Sequence, residues 1–151
     1  DHAALRAWLR LLATTNSLEA LVRSRLQVRF GTTLARFDYL SQLDRVPDGL
    51  RMGEISERLM VTNGNVTGLT DALESEGLVT REPDDQDRRA FRVQLTAVGR
   101  RAFHAMAAEH ELWIAEVFSG LTQREFAQLR DLLGKVKVRI HKARASDRAQ
   151  D

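Results

Sequence analysis

The chain is 151 residues long and 43% apolar, enough for one domain or one core with appended helices, and this excludes a disordered tail or a peptide hormone. Its 23 Lys and Arg nearly balance 21 Asp and Glu, leaving +2, so a uniformly basic coat is excluded and any nucleic-acid surface has to be local. With no cysteine, disulfides, thiolate metal sites, cysteine nucleophiles and thiol-based oxidant sensing are excluded together, and a reducing cytoplasm fits the composition.

From Leu5 to Phe30 apolar residues recur as Leu5, Trp8, Leu9, Leu12, Leu18, Leu21, Val22 and Leu26 with arginines between them, which predicts a long amphipathic helix. Gly31 stops it, and Thr32 or Thr33 caps a second helix whose inner stripe is Leu34, Phe37, Leu40 and Leu43. Pro47, Asp48 and Gly49 turn the chain into a short helix from about Gly53 to Met60, with Ile55 and Leu59 facing inward. Another helix follows to Glu76, with Val66, Leu69 and Leu73 inside and Gly77 as its stop. LVTREP and FRVQLT then read as a hairpin, joined by a solvated loop that starts at Pro83 and its acidic neighbours. A long helix from about Thr96 to Phe118 presents Phe103, Met106, Leu112, Trp113 and Val117. Leu121, Thr122, Glu125 and Phe126 combine a capping box with a hydrophobic staple, opening a last helix along Leu129, Leu132, Leu133, Val136 and Ile140. The basic run at its end, Lys135 to Arg144, complements the helix dipole as a solvated helix end.

The order is four helices, two strands and two helices, mainly α with a small β-hairpin wing, and its middle has the arrangement of a winged helix-turn-helix. The start of the fourth helix strengthens that reading. Thr62, Asn63, Asn65, Thr67 and Thr70 give it hydrogen-bonding groups without charge, the kind that reads base edges, Val66 is expected among the DNA-contacting residues with them, and two glycines there suggest a close backbone approach to DNA or to the preceding helix. At the hairpin tip Arg88 and Arg89 stand beside Asp84, Asp85 and Asp87. An arginine there could enter a minor groove, its rotamer fixed by a neighbouring carboxylate. Residues 51–100 are net negative, so phosphate contacts have to come from a few arginines such as Arg51, Arg81, Arg88 and Arg92.

Other chemistry is weaker. His2, His104, His110 and His141 lack partners at helical ligand spacing, so no metal is expected, and neither a nucleophile elbow nor a phosphate-binding glycine loop is present. No cofactor and no catalytic residues are expected. A small helical enzyme and a structural helical dimer without DNA binding remain as alternatives. The longest uncharged run, Leu59 to Thr70, is far short of the roughly 18 apolar residues of a membrane span, so no membrane partner is expected either. Long helices carrying more apolar surface than a small winged domain covers predict a homodimer built by the helix from Leu5 to Phe30 and the helices after Thr96, and hence a pseudo-palindromic double-stranded operator.

From Met52 to Phe103, MGEISERLMVTNGNVTGLTDALESEGLVTREP followed by DDQDRRAFRVQLTAVGRRAF resembles the MarR family of bacterial transcription regulators. The Asp87-x-Arg89 signature and VQLTAVG are its most specific parts. The resemblance implies a single chain over 1–151, with a winged helix-turn-helix over 33–96 and dimerisation helices over 1–31 and 97–145. It implies a cytoplasmic regulator whose helix from near Thr62 enters the major groove, whose wing arginine Arg89 reaches the minor groove, and whose Asp87 positions that arginine. TTLARFDYLSQLDRVPDGLRMGEISERLMVTNGNVTG is further similar to the MarR subgroup that controls degradation of hydroxycinnamates and related aromatics. That likeness implies a repressor released by a small aromatic carboxylate or its coenzyme A thioester. A pocket for it would draw aromatic and apolar walls from Trp8, Phe37, Met106 and Trp113 and a cation from Arg10 or Arg36.

Overall fold

The computed structural model describes residues 1–59 and 65–150, in two units covering 1–111 and 112–151. In the first unit α1 (His2–Phe30) starts on the Asp1 side chain and ends where Gly31 takes the left-handed conformation, φ 61°. Its first sixteen residues are exposed, while Val22 and Leu26 are buried further along. Thr33 caps α2 (Leu34–Asp44) by accepting the Arg36 N–H, and the expected stripe of Leu34, Phe37, Leu40 and Leu43 is buried, joined by Tyr39.

Beyond the turn at Gly49 lies β1 (Leu50–Arg51), a strand the sequence reading missed, since two residues carry no periodicity. The short helix that follows is α3 (Met52–Arg58), opened by Glu54, whose carboxylate accepts the Arg51 N–H at 3.0 Å. It ends at Arg58 rather than at Met60, because Leu59 is already extended. Ile55 is its fully buried residue. Next come α4 (Val66–Ser75), β2 (Val79–Pro83), β3 (Phe91–Leu95) and α5 (Ala97–Val117).

The sheet is antiparallel in the order β1-β3-β2, with Leu50 opposite Val93 and Val79 opposite Leu95. Thr96 fastens the start of α5 to the base of the hairpin: its N–H donates to the Leu78 carbonyl and its hydroxyl to the Gly77 carbonyl. Gly99 follows because a Cβ there would lie 1.9 Å from the Leu78 oxygen, inside van der Waals contact. Leu26, Tyr39, Leu40, Leu43, Leu50, Ile55, Leu73 and Val93 form the fully buried centre of this unit.

In the second unit α6 (Gln123–Arg148) opens with the expected capping box. The Thr122 hydroxyl accepts the Glu125 N–H, and the Glu125 carboxylate accepts the Thr122 N–H. The Phe118 and Phe126 rings are 5.9 Å apart. Leu129, Leu132, Leu133, Val136 and Ile140 are all exposed along α6. The fold is thus mainly helical with a small three-stranded antiparallel wing sheet, the winged helix-turn-helix class that the element order implied.

Candidate nucleic-acid interface

Thr62 and Asn63 lie outside the described residues. Within them, Asn65 is the N-cap of α4, its Oδ1 accepting the Gly68 N–H at 2.9 Å. Gly68 is fitted to that cap, since a Cβ would meet the Asn65 amide nitrogen at 2.8 Å. The close approach that this glycine allows is therefore to the helix's own cap. Asn65 and Thr67 are exposed and Val66 is half-buried. Thr70 corrects the sequence reading: it is fully buried, and its hydroxyl is engaged by Tyr39 Oη at 2.6 Å and the Val66 carbonyl at 2.7 Å. It faces the core and presents nothing to a base.

Arg88 and Arg89 are exposed at the wing tip, the Arg89 side chain 93% so. Asp87 receives both the Arg89 N–H, at 3.1 Å, and the Arg89 Nε–H, at 3.2 Å, on one oxygen, which limits the directions the guanidinium can take. The loop before it is less solvated than its composition suggests. Pro83 belongs to β2, and Asp84 is buried although three carboxylates crowd the segment.

Asp84 Oδ2 accepts Arg51 Nη2 at 2.8 Å and the backbone N–H groups of Gln86 and Asp87, while Oδ1 accepts Arg92 Nε at 2.9 Å. These donors, Arg51 first, hold its carboxyl down at about 2 against an ordinary 3.8. Sequence reasoning missed this role. The available signal was an acid followed two and three residues later by free backbone donors, the pattern of an Asx turn.

Three of the four arginines expected to contact phosphates thus have internal partners, Arg92 through Asp84 among them. Arg51 spends a nitrogen on Asp84, which raises its own pKa. Arg81 pairs with Asp71 and with Glu74 on α4, and its guanidinium lies 5.8 Å from the centre of the exposed Phe91 ring. A groove of about 460 Å³ runs beside α3 and the wing, lined by Arg51, Met52, Glu54, Glu57, Arg89 and Phe91.

Of the residues expected around an effector, the five in the first unit do not line one cleft together. Arg36 and Met106 line one cleft of about 390 Å³ with Phe30, Leu40, Leu73, Leu78 and Glu76. Arg36 pairs with Glu76 there, and its Nε is buried without a hydrogen-bond partner. Phe37 packs in the core, 5.5 Å from Phe103 and 4.9 Å from His110, whose pKa burial lowers. Trp8 and Arg10 are exposed on α1, outside that cleft, and Trp113 is buried.

His104 bonds Asp44 at 3.0 Å, and among the described residues no group of three or more potential ligands could hold a metal ion. Among the same residues no helix is long and apolar enough to cross a membrane.

Residues 30–90 match the profile of the MarR family. The chain is 38% identical over 88 residues to the HTH-type transcriptional regulator YkoM of Bacillus subtilis, covering 58% of this chain and 57% of that one. It is 31% identical over 114 residues to the HTH-type transcriptional regulator PecS of Dickeya dadantii, covering 74% and 69%. A MarR family transcriptional regulator from Silicibacter pomeroyi has a crystal structure that superposes with a TM-score of 0.80 at 29% identity, over 92% of this chain and 96% of that one. Regulators of this family bind DNA, act as dimers and are not enzymes. Sequence, wing and helix arrangement agree: the chain belongs to the MarR family of transcriptional regulators.

Proposed function

We propose that the chain is a cytoplasmic repressor that binds a pseudo-palindromic operator as a homodimer and is released by a small aromatic carboxylate or its coenzyme A thioester. The observation that carries the DNA reading is Arg89, fully presented at the wing tip yet held by Asp87, which suits insertion into a narrow minor groove. The start of α4, with Asn65 and Thr67 exposed, addresses the major groove. Residues 33–96 form the DNA-binding region in this reading. Residues 1–31 and 97–145 form the dimer, supported by the exposed Leu5, Trp8, Leu9 and Leu12 on α1 and the apolar series on α6.

The effector reading rests on the cleft at Arg36. An aromatic ring fits its apolar walls, and the carboxylate competes with Glu76 for the Arg36 guanidinium. Glu76 is the C-cap of α4, so a ligand that takes Arg36 frees one end of the helix that reads DNA.

A mobility-shift titration of an operator duplex tests both halves. Arg89→Ala weakens operator binding about tenfold or more without changing the size or melting of the protein. Benzoate, p-coumarate, ferulate or their thioesters then release the wild-type complex. Equal binding by wild type and variant overturns the wing assignment, and a complex that none of these acids disturbs overturns the effector class.

A further inference from the structure

We infer that Asp84 is the positioning residue of the wing: its buried carboxylate ties the loop carrying Arg88 and Arg89 to the strand–helix junction at Arg51. This rests on the reading that Arg89 enters the minor groove. The side chain is 1% exposed and its two oxygens take four donors from three places in the fold. Arg51 stands at the end of β1 and the start of α3, Arg92 lies within β3, and the Gln86 and Asp87 amides belong to the tip itself. Arg92 carries the tie further, donating from Nη1 to the Gly49 carbonyl at 3.0 Å, and Gln94 Nε2 donates to the Asp48 carbonyl at 2.9 Å. The wing base is therefore fastened to the turn that precedes β1.

From Asp84 the order passes outward in two steps. Its carboxylate fixes the Asp87 backbone, and the Asp87 carboxylate fixes Arg89. Without the first step, Asp87 and Arg89 remain paired but swing together on the five-residue link from Gln86 to Ala90. An arginine inserted into a groove about 6 Å wide tolerates little such motion. Removing the carboxylate also costs stability, because Arg51 and Arg92 lose their acceptor, so the effect on DNA preference is read where each variant is folded.

The test is a double-mutant cycle. Asp84→Asn, Arg89→Ala and the pair are titrated against operators whose wing-facing step is A·T-rich or G·C-rich, with size and helix content checked for each. Asp84→Asn is expected to lose the A·T preference of the wild type and to weaken binding to within about threefold of Arg89→Ala, with the double variant no weaker than Arg89→Ala alone. Affinity for a scrambled duplex stays unchanged. A purely structural role would instead lower binding to every duplex alike and add to Arg89→Ala. Additive losses, or an intact A·T preference in Asp84→Asn, overturn the positioning role. If Asp84→Asn fails to fold, Arg92→Lys opens the same clasp while keeping the positive charge, since an ammonium cannot reproduce the Nε and Nη1 bonds together, and the same outcomes apply to it. A silent Arg89→Ala is a separate result that overturns the wing reading and this proposal with it.

Discussion

Tyr39 Oη on α2 and Thr70 Oγ1 on α4 meet at 2.6 Å in the fully buried core, joining the helix that supports the wing domain to the helix that carries its exposed polar start. Burial raises the Tyr39 pKa, so the phenol stays neutral through the physiological range. Tyr39→Phe is expected to cost about 1 kcal/mol, because Thr70 keeps its bond to the Val66 carbonyl. Thr70→Val should cost about 1–3 kcal/mol, since it leaves the phenol buried without a partner. Urea unfolding of the two single variants and the double gives the order and the coupling between them.

Thr70 also shows why only part of the site was legible in the sequence. The stripes of α2 and the caps at Thr33 and Thr122 are local signals, complete within a few residues, and the structure reproduces them. Thr70 stands four residues after Val66 and three before Leu73, so helical spacing puts it on the inner face, but the partner that satisfies its hydroxyl there is 31 positions away and its polar side chain reads as outward. Asp84 was hidden for the same reason, its arginines lying 33 residues before and 8 after it. The exposed wing arginines needed no distant partner and were found from the turn alone.

Arg81 offers a test of charge bookkeeping at the interface. Its pairing with Asp71 and Glu74 shields two carboxylates on α4, so Arg81→Met is expected to weaken operator binding by exposing them to the DNA phosphates. Asp71→Asn with Glu74→Gln in that background should restore much of the loss. A direct phosphate contact by Arg81 would leave the triple variant as weak as the single one, and isotherms at two salt concentrations separate the cases.

Acid denaturation reports on the clasp. The Asp84 carboxyl is depressed in the folded state from 3.8 to about 2, so its contribution is complete above pH about 4 and is lost as pH falls towards 2. Asp84→Asn should therefore be less stable than wild type at neutral pH, with the difference closing between pH 4 and 2. Wild type takes up most of one proton more on unfolding in the middle of that window than the variant does. Thermal melts across this range give the two curves.

Assembly can be probed where the single chain has nothing to lose. Leu9 on α1 and Val136 on α6 are half exposed, so Leu9→Glu and Val136→Glu should change the intrinsic stability of one chain by no more than about 0.5 kcal/mol. In the proposed dimer they place carboxylates in an apolar contact. Light scattering should then give 17.1 kDa for the variants, with operator binding lost in parallel.

Glu76→Gln should lower the benzoate concentration that releases the operator, because the neutral amide competes poorly for Arg36, whereas Arg36→Met should remove the response. Fluorescence anisotropy of a labelled operator under benzoate titration measures both.

The cap at Asn65 constrains the vocabulary of the helix it begins. An amide whose oxygen is engaged by its own helix has two N–H bonds left and no acceptor within easy reach. Adenine offers a donor and an acceptor side by side, and a capped Asn65 answers only the acceptor. Guanine N7 and O6, or thymine O4, match a donor-only side chain better. The half-site position facing residue 65 should therefore discriminate against cytosine more strongly than it selects adenine, a tolerance imposed by the way the helix starts.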